Sequence, residues 1–205
     1  DLHVYLPPFR AAMEEGAQTA MASFNDLNGV PCTVNRWLLR EVLKKELGLE
    51  GFVVSDANAI RECVAHGIAA DDRDAGVQAA LAGMDMDMGT HIYRDYLKAE
   101  VEKGTVPMAV IDEAVRRILS VKVWLGLFEN PYVPEALIEA YEKGLPEEHA
   151  ALCRKAAEES MVLLKNEGKA LPLDAKALKR IALIGPQADD VELGPYSGRP
   201  EESAM

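Results

Sequence analysis

The sequence predicts an α/β protein in two parts: the C-terminal part of a (β/α)8-like barrel, then the start of a second α/β domain. Up to about residue 125, short apolar strands alternate with amphipathic helices, the pattern of βα units that feed a parallel sheet. A stretch containing Pro131 and Pro134 breaks that rhythm, and a new helix and a new apolar run resume it after Pro146. Three strand-helix units cannot close a sheet, whereas an eight-stranded α/β barrel takes about 250 residues. The expectation is the last part of one barrel and the first part of another domain, with chain missing on both sides.

Each element has its own signal. A first helix covers Tyr5 to Glu15 and ends at Gly16, and Thr19 to Phe24 then reads as a strand. Asn25 to Asn35 is expected to be a loop, with turn signals at Asn28 and Gly29. Leu38, Leu39, Val42, Leu43 and Leu47 place one apolar stripe on the next helix, which Gly48 stops in the left-handed conformation. Phe52, Val53 and Val54 form a strand that runs into Ser55 and Asp56. Asp74 to Leu81 is helical, and Gly83 to Met88 reads as a strand whose alternation puts Asp85 and Asp87 on one face.

Helical spacing returns over Tyr93 to Glu102 and over Pro107 to Trp124, and stops at Gly126. Glu129 to Tyr141 lacks periodicity and reads as a surface linker. A long helix from Pro146 to about Asn166 closes at Gly168, and Ile181 to Ile184 reads as a buried strand before a Gly-Pro turn. The expected division is therefore barrel units over residues 1–128, a linker over 129–145 and the second domain over 146–205.

Composition excludes several classes. Of the 205 residues 49% are hydrophobic, too many for a disordered chain, and they recur in helical and strand-like patterns. The net charge of −12 leaves no basic stripe to displace counterions from a phosphate backbone, so nucleic acid is not an expected partner. No run of about 18 apolar residues occurs, so no membrane span is expected within this window. The chain does not start with Met and shows no basic-then-apolar leader; a mature or cropped protein has the same appearance, so export is not readable from this end. Cys32, Cys63 and Cys153 are odd in number and far apart, which fits buried or free thiols and neither a zinc ribbon nor a disulfide framework.

Catalytic groups in parallel α/β folds gather at the carboxyl ends of strands. Asp56 ends such a strand, and its position suits a catalytic carboxylate or, equally, a cap for the helix that follows. His66 and His91 lie near helix ends, where a structural or solvated role outweighs a catalytic one. Asp85 and Asp87 lack a His or Cys at ligand spacing, so barrel-interior hydrogen bonding is preferred over a metal site. Gly194 to Gly198 (GPYSG) lacks the Lys and Ser/Thr of a phosphate loop and reads as a surface loop.

An ordered series decides between the two readings of Asp56: YLPPF at Tyr5, MASFNDLNGVP at Met21, WLLREVLKKELGLEGFVVSD ending at Asp56, HGIAAD at His66, AGMDMDM at Ala82, IDEAVRRIL running to GLFENPY, then LLKNEGKALPLD and IALIGPQAD. Together these resemble the β-glucosidases of glycoside hydrolase family 3, in particular the bacterial periplasmic branch, over almost the whole chain and in the family's order. The resemblance implies a TIM-like barrel followed by an α/β sandwich. Residues 1–128 would carry the sixth to eighth barrel strands and residues 146–205 the beginning of the sandwich.

It also implies a retaining exo-β-glycosidase, foremost a β-glucosidase that removes terminal glucose from β-glucosides or oligosaccharides, with no metal or organic cofactor. Asp56 falls on the family's catalytic nucleophile, and Met21 and Phe24 fall on positions near the bound sugar. Ala57 stands where an aromatic residue usually follows the nucleophile, and Phe24 where a Tyr is usual, so a ring is kept and a hydroxyl donor lost. The acid of the pair would be a Glu from the later sandwich domain, so the 205-residue segment alone is expected to be inactive. A periplasmic or secreted location and a homodimer are further implications. The rivals are a β-xylosidase or other β-glycosidase of the family, and a non-catalytic carbohydrate-binding fragment.

Overall fold

The computed structural model describes residues 2–142, 144, 146–188 and 196. It is an α/β protein whose chain falls into two compact units, Asp1–Pro131 and Tyr132–Met205.

In the first unit, helix α1 (Leu2–Glu14) leads to strand β1 (Thr19–Met21). A two-stranded hairpin of β2 (Asp26–Leu27) and β3 (Val30–Pro31) follows. This corrects the expected open loop. Asn28 and Gly29 both take positive φ, 54° and 77°, the left-handed pair that closes a two-residue hairpin turn and tightens the loop into paired strands. β1 is also shorter than expected, ending at Met21.

A π-type helix over Trp37–Glu46 buries Leu39, Val42 and Leu43, as the apolar stripe requires. Strand β4 (Phe52–Val54) comes next and pairs in parallel with β1, Thr19 opposite Phe52 and Met21 opposite Val54. The chain enters β4 through Gly51, where any Cβ would collide with the carbonyl oxygen of Gln18. Helices α2 (Ala59–Ala65), α3 (Asp72–Ala82), α4 (Ile92–Glu102) and α5 (Met108–Trp124) complete the unit.

The core lies between β4 and the helices. Val53, Ile60, Ala75, Ala79 and Ile92 are fully excluded from solvent, with Leu39, Leu49 and Met84 nearly so. Burying a side chain of Val or Leu size contributes about 1.5–3 kcal/mol. This cluster therefore fixes the height and direction of β4, and with it the residues that follow.

The expected strand Gly83–Met88 is reduced to one parallel bridge, Val54 to Met86. Side chains have taken over part of its ladder: the Asp85 carboxylate accepts the Val53 N–H at 2.8 Å, and the Ser55 hydroxyl accepts the Met88 N–H at 2.9 Å. Backbone bonds persist where Asp85 and Met86 donate to the Val53 carbonyl, Ser55 donates to that of Met86 and, in the turn beyond, Asn58 donates to that of Met88.

The second unit contains α6 (Glu135–Glu142) and α7 (Glu147–Glu159). α6 lies within the stretch expected to be an aperiodic linker. Pro134 precedes it, and its carbonyl accepts the Leu137 N–H at 2.9 Å, so the proline starts a helix inside the expected linker. α7 ends at Glu159, short of the expected Asn166. The Ser160 hydroxyl donates to the Ala157 carbonyl at 2.9 Å, and the four apolar residues Met161–Leu164 that follow do not have helical spacing.

Ile181–Ile184, expected to be a buried strand, is exposed and forms no strand, Ile184 being 91% accessible. An apolar run becomes a strand only with a ladder partner, and among the described residues none pairs with it. Gly194 to Gly198 lies outside the described residues except for Tyr196.

Candidate active site

β1 and β4 run parallel, so their carboxyl ends share one edge. Asp56 stands at that edge, two residues beyond β4 and half-buried. Met21 is opposite Val54 in the register, and the Ala22 N–H donates to the Val54 carbonyl at 2.9 Å, so the chain leaving β1 emerges beside the chain leaving β4. Phe24 follows on this segment. Met21 is 53% exposed, Phe24 40% and Met88 38%, three large apolar side chains at the same end of the parallel segments.

The backbone around Asp56 is tied down. Ser55 is fully buried and holds the Met88 N–H through its hydroxyl. Asn58 takes the left-handed conformation (φ 65°), from which its N–H donates to the Met88 carbonyl at 3.2 Å. The Asp56 carbonyl accepts the Ala59 N–H at 3.1 Å, and its Oδ1 accepts the Ala57 N–H at 2.7 Å. The carboxylate thus leans on the first turn into α2, but it does not cap the helix from the N-cap position, which Asn58 occupies.

The other acidic candidates are occupied. Asp85 Oδ1 receives Lys44 Nζ at 2.8 Å, with the Lys44 and Asp85 side chains 5% and 3% exposed. Burial pulls the Lys44 ammonium below its ordinary value, against the attraction of Asp85 and Glu113. Glu113 sits below the usual carboxylate range: burial pushes it up, but Arg40, Lys44 and Arg117 outweigh that. Arg117 also donates to the Leu49, Glu50 and Gly51 carbonyls at 2.8–3.0 Å, which ties α5 to the start of β4. Asp87 accepts from the Thr90 hydroxyl and the Tyr93 N–H. Tyr93 donates its own hydroxyl to the Met84 carbonyl and is held well above its ordinary value, by burial first and by Asp87 and Asp85 second.

Asp85 and Asp87 are therefore engaged inside the unit, as hydrogen bonding was expected to engage them. Among the described residues no cluster of three or more His, Cys, Asp or Glu is arranged to hold a metal ion. His66 meets Asp26 at 3.1 Å, fastening the β2–β3 hairpin to the end of α2, and His91 starts α4 in the left-handed conformation. Cys32 and Cys63 are buried free thiols and Cys153 an exposed one, with burial and the Asp26 charge pushing Cys63 up to about 11. A groove of about 480 Å³ lined by Met84, Tyr93, Leu97, Val101, Ile111 and Ile118 does not include Asp56.

Two contributors escaped the reading of the sequence. Ser55 was seen only as the residue before the carboxylate, although a serine closing an apolar strand signals a buried hydroxyl in need of a partner. Asn58 carried a usable signal too, since Asn is among the few residues that tolerate the left-handed region.

Comparison with known proteins places these elements. Residues 2–121 match the glycosyl hydrolase family 3 N terminal domain, and residues 161–205 match the glycosyl hydrolase family 3 C-terminal domain. A periplasmic β-glucosidase of Salmonella typhimurium is 42% identical over 90% of this chain and 24% of its own length. A β-xylosidase of Formosa agariphila is 40% identical over 96% of this chain and 29% of its own. Among solved structures, a β-glucosidase from Listeria innocua in complex with glucose superposes with a TM-score of 0.73 at 39% identity, covering 82% of this chain and 23% of that one. A β-glucosidase involved in saponin metabolism from intestinal bacteria reaches 0.79 at 37% identity, covering 90% and 24%. The chain spans about a quarter of the length of these relatives. With its N-terminal domain matched over more than half of the 205 residues and part of its C-terminal domain after it, the chain belongs to glycosyl hydrolase family 3.

Proposed function

We propose that this chain is part of a retaining exo-β-glucosidase in which Asp56 is the nucleophile and Met21 and Phe24 line the sugar site. The observation that carries this reading is the placement of Asp56: a carboxylate at the carboxyl end of β4, beside the exposed apolar side chains that follow β1, in a family of glycoside hydrolases. In such an enzyme one ionised carboxylate attacks the anomeric carbon while a second carboxylic acid, about 5 to 5.5 Å away, protonates the leaving oxygen. Water then releases the sugar from the covalent intermediate, with the second group acting as base. Asp56 supplies the first of these groups, and a carboxylic acid elsewhere in the longer protein supplies the second. The substrate is a β-linked glucoside or oligosaccharide.

In the same proposal, residues 1–128 are the closing strand-helix units of the catalytic barrel, 129–145 the linker and 146–205 the opening of the α/β sandwich. β1, β4 and the bridged segment around Met86 are the sixth, seventh and eighth strands. A bacterial, periplasmic location is favoured by the likeness to the Salmonella protein. A β-xylosidase is the second reading, favoured by the likeness to the Formosa protein.

Replacing Asp56 by Asn in the full-length enzyme keeps the shape of the side chain and removes its charge. Hydrolysis of an aryl β-glucoside is expected to fall at least about a thousandfold with glucose binding retained. A parent protein that binds glucose without hydrolysing the glucoside, and keeps that binding in Asp56→Asn, would favour the non-catalytic reading. An aryl β-xyloside cleaved faster than the glucoside would favour the xylosidase.

A further inference from the structure

We infer that Ser55 is a positioning residue for Asp56: together with Asn58 it clasps the backbone of Met88, and that clasp fixes where the Asp56 carboxylate stands. The inference rests on Asp56 being the nucleophile and concerns what holds it in place.

Asp56 lies between two anchors to one residue. On its N-terminal side the buried Ser55 hydroxyl accepts the Met88 N–H at 2.9 Å, and the Ser55 N–H donates to the Met86 carbonyl at 3.0 Å. On its C-terminal side the Asn58 N–H donates to the Met88 carbonyl at 3.2 Å. Both backbone polar groups of Met88 are thus consumed in holding the segment Ser55–Asn58, and Asn58 makes its bond from a left-handed φ of 65°. The ladder does not continue beyond Met86, so these side-chain and turn bonds replace it where the nucleophile begins.

The hydroxyl is not required by packing. An alanine fills most of the same volume, and a buried hydroxyl without a partner is a cost, so Ser55 is accounted for by the Met88 N–H that it satisfies. Removing it leaves that N–H without its acceptor and frees the end of the Met86–Met88 segment to move away from the Asp56 turn. A displacement of about 1 Å at a reacting group costs on the order of a hundredfold in rate. The effect should fall on the chemical step, since Ser55 itself is buried away from any ligand.

The test uses the full-length enzyme and 2-deoxy-2-fluoro-β-glucosyl fluoride. In this trapping step an Asp56 oxygen forms a bond to the anomeric carbon as the carbon–fluorine bond breaks and fluoride leaves with the electron pair. Ser55→Ala is expected to lower the limiting trapping rate constant about 10- to 100-fold, with the half-saturating concentration within about threefold of the parent. Ser55→Thr, which keeps the hydroxyl, should recover most of the rate. Trapping of Ser55→Ala at the parental rate, or equal losses in Ser55→Ala and Ser55→Thr, overturns the inference. If Ser55→Ala does not fold, the other anchor is read instead: Asn58→Val, which resists a positive φ, should slow trapping about tenfold or more while Asn58→Gly does not, and equal rates for the two overturn the inference. Trapping of the parent enzyme at a carboxylate other than Asp56 removes the nucleophile reading, whereas trapping at Asp56 with Ser55→Ala unaffected removes only the role of Ser55.

Discussion

Asp85→Asn removes a charge from the buried pair that supports β4. The Asp85 carboxylate is shared between Lys44 Nζ and the Val53 N–H, each at 2.8 Å, and both ends of the ion pair are almost wholly screened from water. Removing one partner of a buried pair costs about 3–5 kcal/mol. Here the cost should lie at the lower end, about 3 kcal/mol, because Lys44 keeps the Gly83 carbonyl at 2.8 Å and Glu113 at 3.8 Å. The asparagine has one acceptor oxygen for two donors, so either Val53 or Lys44 loses its partner. Native-state hydrogen exchange in the full-length enzyme reads this at the Val53 amide, whose protection should drop about a hundredfold, 1.4 kcal/mol being a factor of ten. Lys44→Met should act in the same direction through the carboxylate it leaves behind. Protection of Val53 within about threefold of the parent in Asp85→Asn would refute the claim that this pair holds the strand.

Glu113 sits below its ordinary value, so its contribution to stability is present above about pH 4.5 and is lost as pH falls through its lowered folded value; Glu113→Gln should flatten the acid limb of a melting-temperature profile. Tyr93 behaves oppositely: held protonated when folded, it destabilises the protein as pH rises past about 10, and Tyr93→Phe should remove that alkaline loss. Phe24→Tyr should be tolerated, with kcat/KM changed by about tenfold or less, since the ring is already 40% exposed and has room for a hydroxyl. A thiol reagent at pH 8 should modify Cys153 and spare Cys63, which is buried and pushed up to about 11.

What was legible in the sequence follows the range of the interactions concerned. β4 and α3 to α5 were readable because Phe52–Val54 is a continuous apolar run and the helices carry apolar residues at helical spacing between Gly and Pro signals. The position of Asp56 followed from the same local pattern, and its reading as a nucleophile came from the resemblance. The segment Gly83–Met88 was misread because its alternation is strand-like, whereas its bonds are decided by Asp85 and Ser55 side chains that occupy part of the ladder. Ile181–Ile184 shows the converse limit: β-branched residues raise the propensity for a strand, but only a neighbouring segment makes one. The Lys44–Asp85 pair and the clasp on Met88 join residues at least thirty positions apart, which no local spacing encodes.

The central claim is that Asp56 attacks the sugar, and covalent trapping tests it most directly. Full-length enzyme inactivated with 2-deoxy-2-fluoro-β-glucosyl fluoride should gain the mass of one fluoroglucosyl group, recovered after tryptic digestion on the peptide Glu46–Arg61. That peptide also holds Glu46 and Glu50, so fragmentation must place the group on Asp56. An adduct on Asp56, absent from Asp56→Asn, is the predicted result; an adduct on any other carboxylate, or rapid turnover by Asp56→Asn, would contradict it.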